Sequence, residues 1–324
     1  MNPKQRRGSR SPEADRAFAR AQSEHQAGRL DDAQELYKRA LAIDPDHGDS
    51  LHYLGVLNHQ TGESERALAL ITQALMLNDH NADAHHNIGL ILGGLGRTDE
   101  AIEHYRRALT LRPDYADAHT NLAAELLTKG DSANAVLHFR RALARKPDAP
   151  ENYGNLAGAL IANGQPDEAF GVIGRGFELR AIPQFKELLV DCFKVLKTAP
   201  KAAELRRFLG RSTAVASARA ALLDLAASTD AVEPSPAALE LCCALAQQCF
   251  AGHYNQAPTE AETGQIATLR DQAHKALQSG EAIPALTLVA LAAYAPLKSL
   301  AGSAGLTGRQ WPEPLSSLIG PQLA

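Results

Sequence analysis

The sequence predicts an all-α fold: a right-handed superhelical solenoid of five helix pairs, followed by a smaller irregular helical domain. Three observations predict it. Glycines recur at Gly28, Gly62, Gly96, Gly130 and Gly164, each 34 residues after the last. Apolar residues keep step with them: Ala33, Ala67, Ala101, Ala135 and Ala169 first, then Tyr37, Ile71, Tyr105, Phe139 and Ile173 one helical turn later. No segment shows the period-two alternation of a half-buried strand. A period of this length marks stacked units, each too small to bury its apolar face alone.

The units run over residues 14–47, 48–81, 82–115, 116–149 and 150–183. In each, a first helix is expected from about the second to the fourteenth residue. In the third unit it spans Asp83 to about Leu95, with Ile88, Leu92 and Leu95 on one face. The periodic glycine ends it, because a left-handed C-terminal turn costs glycine little. The second helix then carries Ala101, Tyr105 and Ala108 on one face. Pro45, Pro113 and Pro147 close three of the units, since proline lacks the N–H that continues a helix. Asp79 and Ala181 hold that slot in two others. Small residues at position 8 (Gly55, Gly89, Ala123, Ala157) oppose the alanines at position 20, so the paired backbones approach closely. The first helices are expected to line a concave inner surface.

The stretch Leu54-Gly55…Gly62…Ala67…Ile71…Ala74 resembles the tetratricopeptide repeat, and Ile88-Gly89…Gly96…Ala101…Tyr105…Ala108…Pro113 resembles it more closely. The resemblance covers about half the chain. It implies a scaffold that binds a protein or extended peptide in its groove, without catalysis and without a cofactor. One departure is at position 4, where the family's frequent tryptophan gives way to Leu51, His85, His119 and Tyr153.

Beyond Pro183 the period is lost and residues 184–324 read as a separate helical domain. Ser235-Pro236 opens a helix through Leu241, Leu245 and Phe250. Thr259 to Glu262 has capping-box spacing, and Gly280 ends the helix that follows. Pro284 to Tyr294 is short and very apolar, hence expected to be buried. Leu245 to Phe250, Tyr254, Leu269-Arg270, Leu291 to Leu297 and Trp311 to Leu315 look like the middle segment of bacterial proteins joining tetratricopeptide repeats to an S-adenosylmethionine-dependent methyltransferase domain. In that family Asn-Glu-Tyr usually follows the Cys-Phe pair; Gly252-His253-Tyr254 stands here. This resemblance, over roughly residues 240–320, implies an alternative role as the substrate-recruiting portion of such an enzyme. The strand-then-glycine motif that binds the methyl donor does not occur before Ala324.

A net charge of −4 argues against general affinity for nucleic acid. The exception is the N-terminus, where Lys4, Arg6, Arg7 and Arg10 lie in an expected disordered arm, residues 1–13. No run approaches the roughly 18 apolar residues of a membrane span, and no apolar core follows the basic residues to make a secretory signal. Cys192, Cys242, Cys243 and Cys249 form no C-x-x-C pair, and a reduced, cytoplasmic setting is expected. Phosphate-binding P-loops and hydrolase or protease motifs are absent.

The candidate site is a row of asparagines. Asn87, Asn121 and Asn155 all hold position 6 of their units, with Tyr53 in the same slot one unit earlier. They resemble the asparagine ladder in the repeat domain of O-linked N-acetylglucosamine transferases, a third possible relationship. Each amide carries a donor and an acceptor, so it can pair with peptide backbone of any sequence. Rungs about 10 Å apart match about three residues of extended chain at roughly 3.3 Å each. The competing reading has the amides bonding within or between helices. His52, His86, Asp83 and Asp117 complete the expected peptide-binding set. Asp49, Asp83, Asp117 and Glu151 share position 2, where a carboxylate complements the helix dipole. Repeats that clamp terminal carboxylates use Lys or Arg near here, so this chain departs from that class. His85, His86 and His119 invite a metal reading, but repeat-equivalent residues lie about 10 Å apart, too far for one ion to bridge. His104 and His138, at position 23, are expected to face solvent.

Overall fold

The computed structural model describes residues 11–195, 212–227, 236–251, 258–279, 283–294, 297, 306 and 315–323. Among these residues there are sixteen helices and no strand. The chain divides into two compact units, Met1–Arg145 and Lys146–Ala324.

The first unit holds four helix pairs: α1 (Pro12–Gln26) with α2 (Leu30–Ile43), α3 (Gly48–Gln60) with α4 (Ser64–Leu77), α5 (Ala82–Gly94) with α6 (Thr98–Leu111), and α7 (Ala116–Thr128) with α8 (Ser132–Arg145). The first helix of each pair also touches the first helix of the next. Helix α1 starts at Pro12, capped by Ser11, whose hydroxyl accepts from Ala14 N. The basic residues Lys4, Arg6, Arg7 and Arg10 lie outside the described residues.

The period has the physical origin that the sequence implies. Gly96 and Gly130 adopt φ of 74° and 80°, with nothing near the place a Cβ would take, so backbone conformation alone selects glycine there. Gly89 is chosen by space instead: a Cβ on it would lie 2.7 Å from the Tyr105 ring. Tyr105 is fully buried and is flanked by Ala101 and Ala108 at zero exposure. A phenol therefore fills the gap that the small residues open between α5 and α6. Helices α2, α6 and α8 stop just before Pro45, Pro113 and Pro147.

In the second unit, α9 (Pro150–Ala162) and α10 (Pro166–Leu179) form the fifth pair, and α11 (Pro183–Val195) packs on both. Then follow α12 (Ser212–Ala227), α13 (Pro236–Ala251), α14 (Glu260–Ser279), α15 (Ala285–Tyr294) and α16 (Leu315–Leu323). Helix α15 is the centre of this part: Leu286 through Ala293 are all buried, and it touches α12, α13, α14 and α16. Its continuous apolarity is thus a burial signal, as expected. The capping box forms: Thr259 N donates to Glu262 Oε2 at 2.7 Å, and Glu262 N donates to Thr259 Oγ1 at 3.2 Å. Cys192, Cys242 and Cys243 are buried free thiols, and burial pushes the Cys192 and Cys242 thiols up. Ser235, Gly280, residues 252–257 and Trp311 to Pro314 lie outside the described residues, as do the Cys249 and Phe250 side chains. Of the methyltransferase-like stretches, Tyr254, Ala295, Pro296 and Trp311 to Pro314 fall outside them, while Leu245, Ala246, Leu269, Arg270 and Leu291 to Tyr294 fall within. Among the described residues no helix is long and apolar enough to cross a membrane.

Candidate functional site

The asparagine row lies on the first helices, where position 6 is half-buried in α5, α7 and α9. Each amide of the first unit reaches sideways to a histidine one repeat earlier. Asn87 Nδ2 lies 2.8 Å from His52 Nε2, and Asn121 Nδ2 lies 3.0 Å from His86 Nε2. Both histidines hold position 5, and both are buried. Burial pushes their pKa values down, which keeps them neutral near pH 7 with one donor and one acceptor each. The partners assign the tautomer: His86 Nε2 accepts from Asn121, and His86 Nδ1 donates to Asn87 Oδ1 at 3.4 Å. The result is one directed chain, Asn121 to His86 to Asn87 to His52. In the second unit Asn155 holds the equivalent position on α9.

Charge beside this chain is compensated. Arg112 at the end of α6 grips Asp83 through two bonds, Nη1 to Oδ1 at 2.9 Å and Nη2 to Oδ2 at 2.8 Å. That hydrogen-bonded guanidinium holds Asp83 below the usual carboxylate range. The Arg112 guanidinium also covers the Tyr115 ring at 4.6 Å, and the His86 ring lies 4.8 Å from Tyr115. Asp117 is exposed. Tyr53 belongs to an aromatic group with Phe18 and Tyr37, at centroid distances of 5.5 and 6.3 Å. Desolvation pushes the Tyr37 phenol up to about 12. Arg112 and Tyr115 were not readable as site residues, because they sit in the inter-repeat loop region where the period gives no register. Their only sequence signal is proximity to Pro113.

The position-23 histidines correct an expectation. His104 and His138 do not face solvent; they are half-buried and paired across their helix hairpins. The Nδ1 atoms of His85 and His104 are 3.1 Å apart, and those of His119 and His138 are 2.9 Å apart. Position 4 and position 23 therefore meet within these two pairs. The position-4 side chains also serve the backbone. His85 Nε2 lies 3.3 Å from Asp79 O and His119 Nε2 lies 3.1 Å from Pro113 O. In the second unit Tyr153 donates its hydroxyl to Pro147 O at 3.0 Å. A polar donor thus satisfies the loop carbonyl six residues back wherever the family's tryptophan is replaced by His or Tyr. Among the described residues no group of three or more His, Cys, Asp or Glu comes together to hold a metal.

Comparison with known proteins bears on the repeat fold. Residues 82–115 match one tetratricopeptide repeat model, and residues 24–88 and 126–175 match another. Neither match reaches residues 240–320. No curated protein matches the chain. PilF of Pseudomonas aeruginosa is similar at a TM-score of 0.53 and 21% identity, covering 65% of this chain and 91% of that one. PilW, a type IV pilus biogenesis factor, is similar at a TM-score of 0.51 and 20% identity, covering 65% and 94%. A MamA protein aligns at a TM-score of 0.47 and 23% identity, covering 51% and 90%. Likeness to PilF and PilW at these identities concerns the fold alone; the tetratricopeptide repeat models match residues 24–115 and 126–175, within the run of helix pairs.

Proposed function

We propose that this protein is a non-catalytic scaffold that holds an extended segment of a protein partner on its asparagine–histidine strip. In the first unit the strip comprises His52, Tyr53, Asp83, His86, Asn87, Asp117 and Asn121; Asn155 is the equivalent residue in the second. The observation that carries the reading is the repeated Asn–His bond, at 2.8 and 3.0 Å on a half-buried face. Each pair sets a donor beside an acceptor. An arriving peptide carbonyl takes the Asn Nδ2 donor, and a peptide N–H takes the His Nε2 acceptor. The pair is replaced in kind, so no buried polar group is left unsatisfied. Because Asp83 is compensated by Arg112, the strip favours neutral backbone over a charged ligand. The buried free thiols suit a reducing compartment such as the cytoplasm.

The test is the triple substitution Asn87→Ala, Asn121→Ala and Asn155→Ala. A partner segment is first identified by crosslinking to the native chain. Each lost amide pair is worth roughly 0.5–1.5 kcal/mol. Three together should weaken binding by about 2–4 kcal/mol, on the order of 30- to 1,000-fold. The loss should be nearly independent of salt, since the contacts are neutral. An early-melting triple mutant that binds the segment as well as the native chain overturns the proposal, because the amides would then serve only the inter-helix bonds.

A further inference from the structure

We propose that the depression between α6, α7 and α8 binds a tetrahedral oxyanion of the phosphate class, held by Arg106, Arg141 and the second ring nitrogen of His138. This site shares no residue with the asparagine–histidine strip, so the two proposals stand or fall separately.

The depression has a volume of about 280 Å³ and opens to solvent. Arg106, Thr110, His119, His138 and Arg141 supply its polar lining, and no carboxylate lines it. At the two ends of α6, Arg97 grips Glu100 and Arg112 grips Asp83. Arg106 and Arg141 have no ion-pair partner among the described residues. The arrangement is not a by-product of the repeat. One repeat earlier the same histidine pair exists, His85 with His104 at 3.1 Å, and Arg107 corresponds to Arg141. There Thr72 stands where Arg106 would be. Only the later hairpin brings two guanidiniums to a histidine pair.

The histidines are arranged to take up one proton without rearrangement. His119 Nε2 donates to Pro113 O, so its Nδ1 accepts. His138 Nδ1 therefore donates to His119 Nδ1 at 2.9 Å, leaving His138 Nε2 as a bare acceptor. Protonating His138 adds an N–H at Nε2 and keeps the existing bond. In the free protein this proton is held off. Burial, His119, Arg141 and Arg106 push the His138 pKa down to about 4, against a smaller pull from Asp131. Asp131 is itself engaged by Asn134 Nδ2 at 2.8 Å. Burial first, then Arg141 and Arg145, push His119 down as well, against the bond to Pro113 O. A dianion between the arginines cancels their field and gives His138 Nε2–H an acceptor. Binding then draws one proton from solvent onto Nε2.

The test is calorimetric titration of the full chain with inorganic sulfate, which stays divalent between pH 5.5 and 8. We expect one saturable site, about tenfold tighter at pH 5.5 than at pH 7.5, with a heat that varies with the buffer's ionisation enthalpy. Arg106→Gln and Arg141→Gln should each weaken binding about tenfold or more. His138→Gln should remove the pH dependence, and Arg107→Gln should change nothing. Both lining arginines are exposed, so melting temperatures of their variants should equal that of the parent chain. Inorganic phosphate and a phosphoserine peptide distinguish the sources. Equal affinities assign the site to the free anion, and a much tighter peptide assigns it to a phosphorylated partner. No saturable binding overturns the proposal. So does acetate binding as tightly as sulfate, or Arg107→Gln weakening binding as much as Arg106→Gln.

Discussion

Asn121 on α7 donates to His86 on α5 at 3.0 Å, and Asn87 repeats that bond to His52 one repeat earlier. The bond joins first helices of successive pairs, so it ties repeat to repeat rather than helix to partner. A double-mutant cycle measures it. His86→Leu alone leaves the Asn121 amide without its acceptor and should destabilise the chain by about 1–3 kcal/mol. Asn121→Leu should cost a similar amount, and the two together much less than their sum, with a coupling of roughly 1 kcal/mol. Additive losses in denaturant unfolding would mean the bond contributes nothing.

Much of this architecture was legible in the sequence because its causes are local. Gly96 needs a positive φ, Gly89 needs room for Tyr105, and Pro113 ends α6; each of these shows in residue identity alone. The pairing of His119 with His138 was not legible. It depends on the rotation of α8 against α7, and a polar residue at a nominally outward position carries no mark of the partner it meets. The same holds for Asn87 and His52. Their adjacency follows from stacking geometry across 35 residues of chain, while the sequence gives only their repeat positions. Arg112 and Tyr115 escaped for a third reason, since the loop between repeats has no periodic face.

Acid should loosen the array before its carboxylates titrate. His52, His85, His86, His104, His119 and His138 all have pKa values lowered from 6.5, with burial as the first cause. Each is lower in the folded chain than in the unfolded one. Below pH 6.5 the unfolded chain thus binds more protons, and the unfolding free energy falls as pH falls. The contribution is fully present above pH 6.5 and is lost down through the folded values, about 4 for His138. Asp83, Glu100 and Asp131 are held below ordinary carboxylate values, so their own loss comes at lower pH. Urea midpoints should therefore drop between pH 7.5 and 5. His104→Gln, which retains a donor toward His85, should make that drop shallower. A midpoint flat over this window would contradict the assigned burial.

Ala101 tests the close approach of α5 and α6. It has zero exposure and lies on the face of α6 that carries Tyr105 and Ala108. Ala101→Leu adds three carbons where there is no space and should cost about 1–3 kcal/mol, with larger losses if the hairpin splays. Unchanged thermal unfolding would show that the interface is looser than its burial states.

Two glycine-to-alanine substitutions separate backbone strain from crowding. Gly96→Ala places a Cβ in open space on a residue with φ of 74°. Its whole effect is the left-handed conformation, which costs a non-glycine residue about 1–2 kcal/mol. Gly96→Asn should cost less than Gly96→Ala, because asparagine tolerates that region better. Gly89→Ala is the opposite case. Its backbone is helical, where alanine is favoured by about 1 kcal/mol over glycine. Its Cβ, however, would lie 2.7 Å from the Tyr105 ring, below any real contact distance. The net effect should still be destabilising, by about 1–2 kcal/mol. Pairing Gly89→Ala with Tyr105→Leu should then recover stability relative to Tyr105→Leu alone, since a smaller ring-less side chain leaves room for the methyl. No such partner exists for Gly96→Ala, so no second substitution at Tyr105 should rescue it. Rescue of both glycine variants by Tyr105→Leu, or of neither, would show that the two glycines are not selected by the separate causes assigned to them.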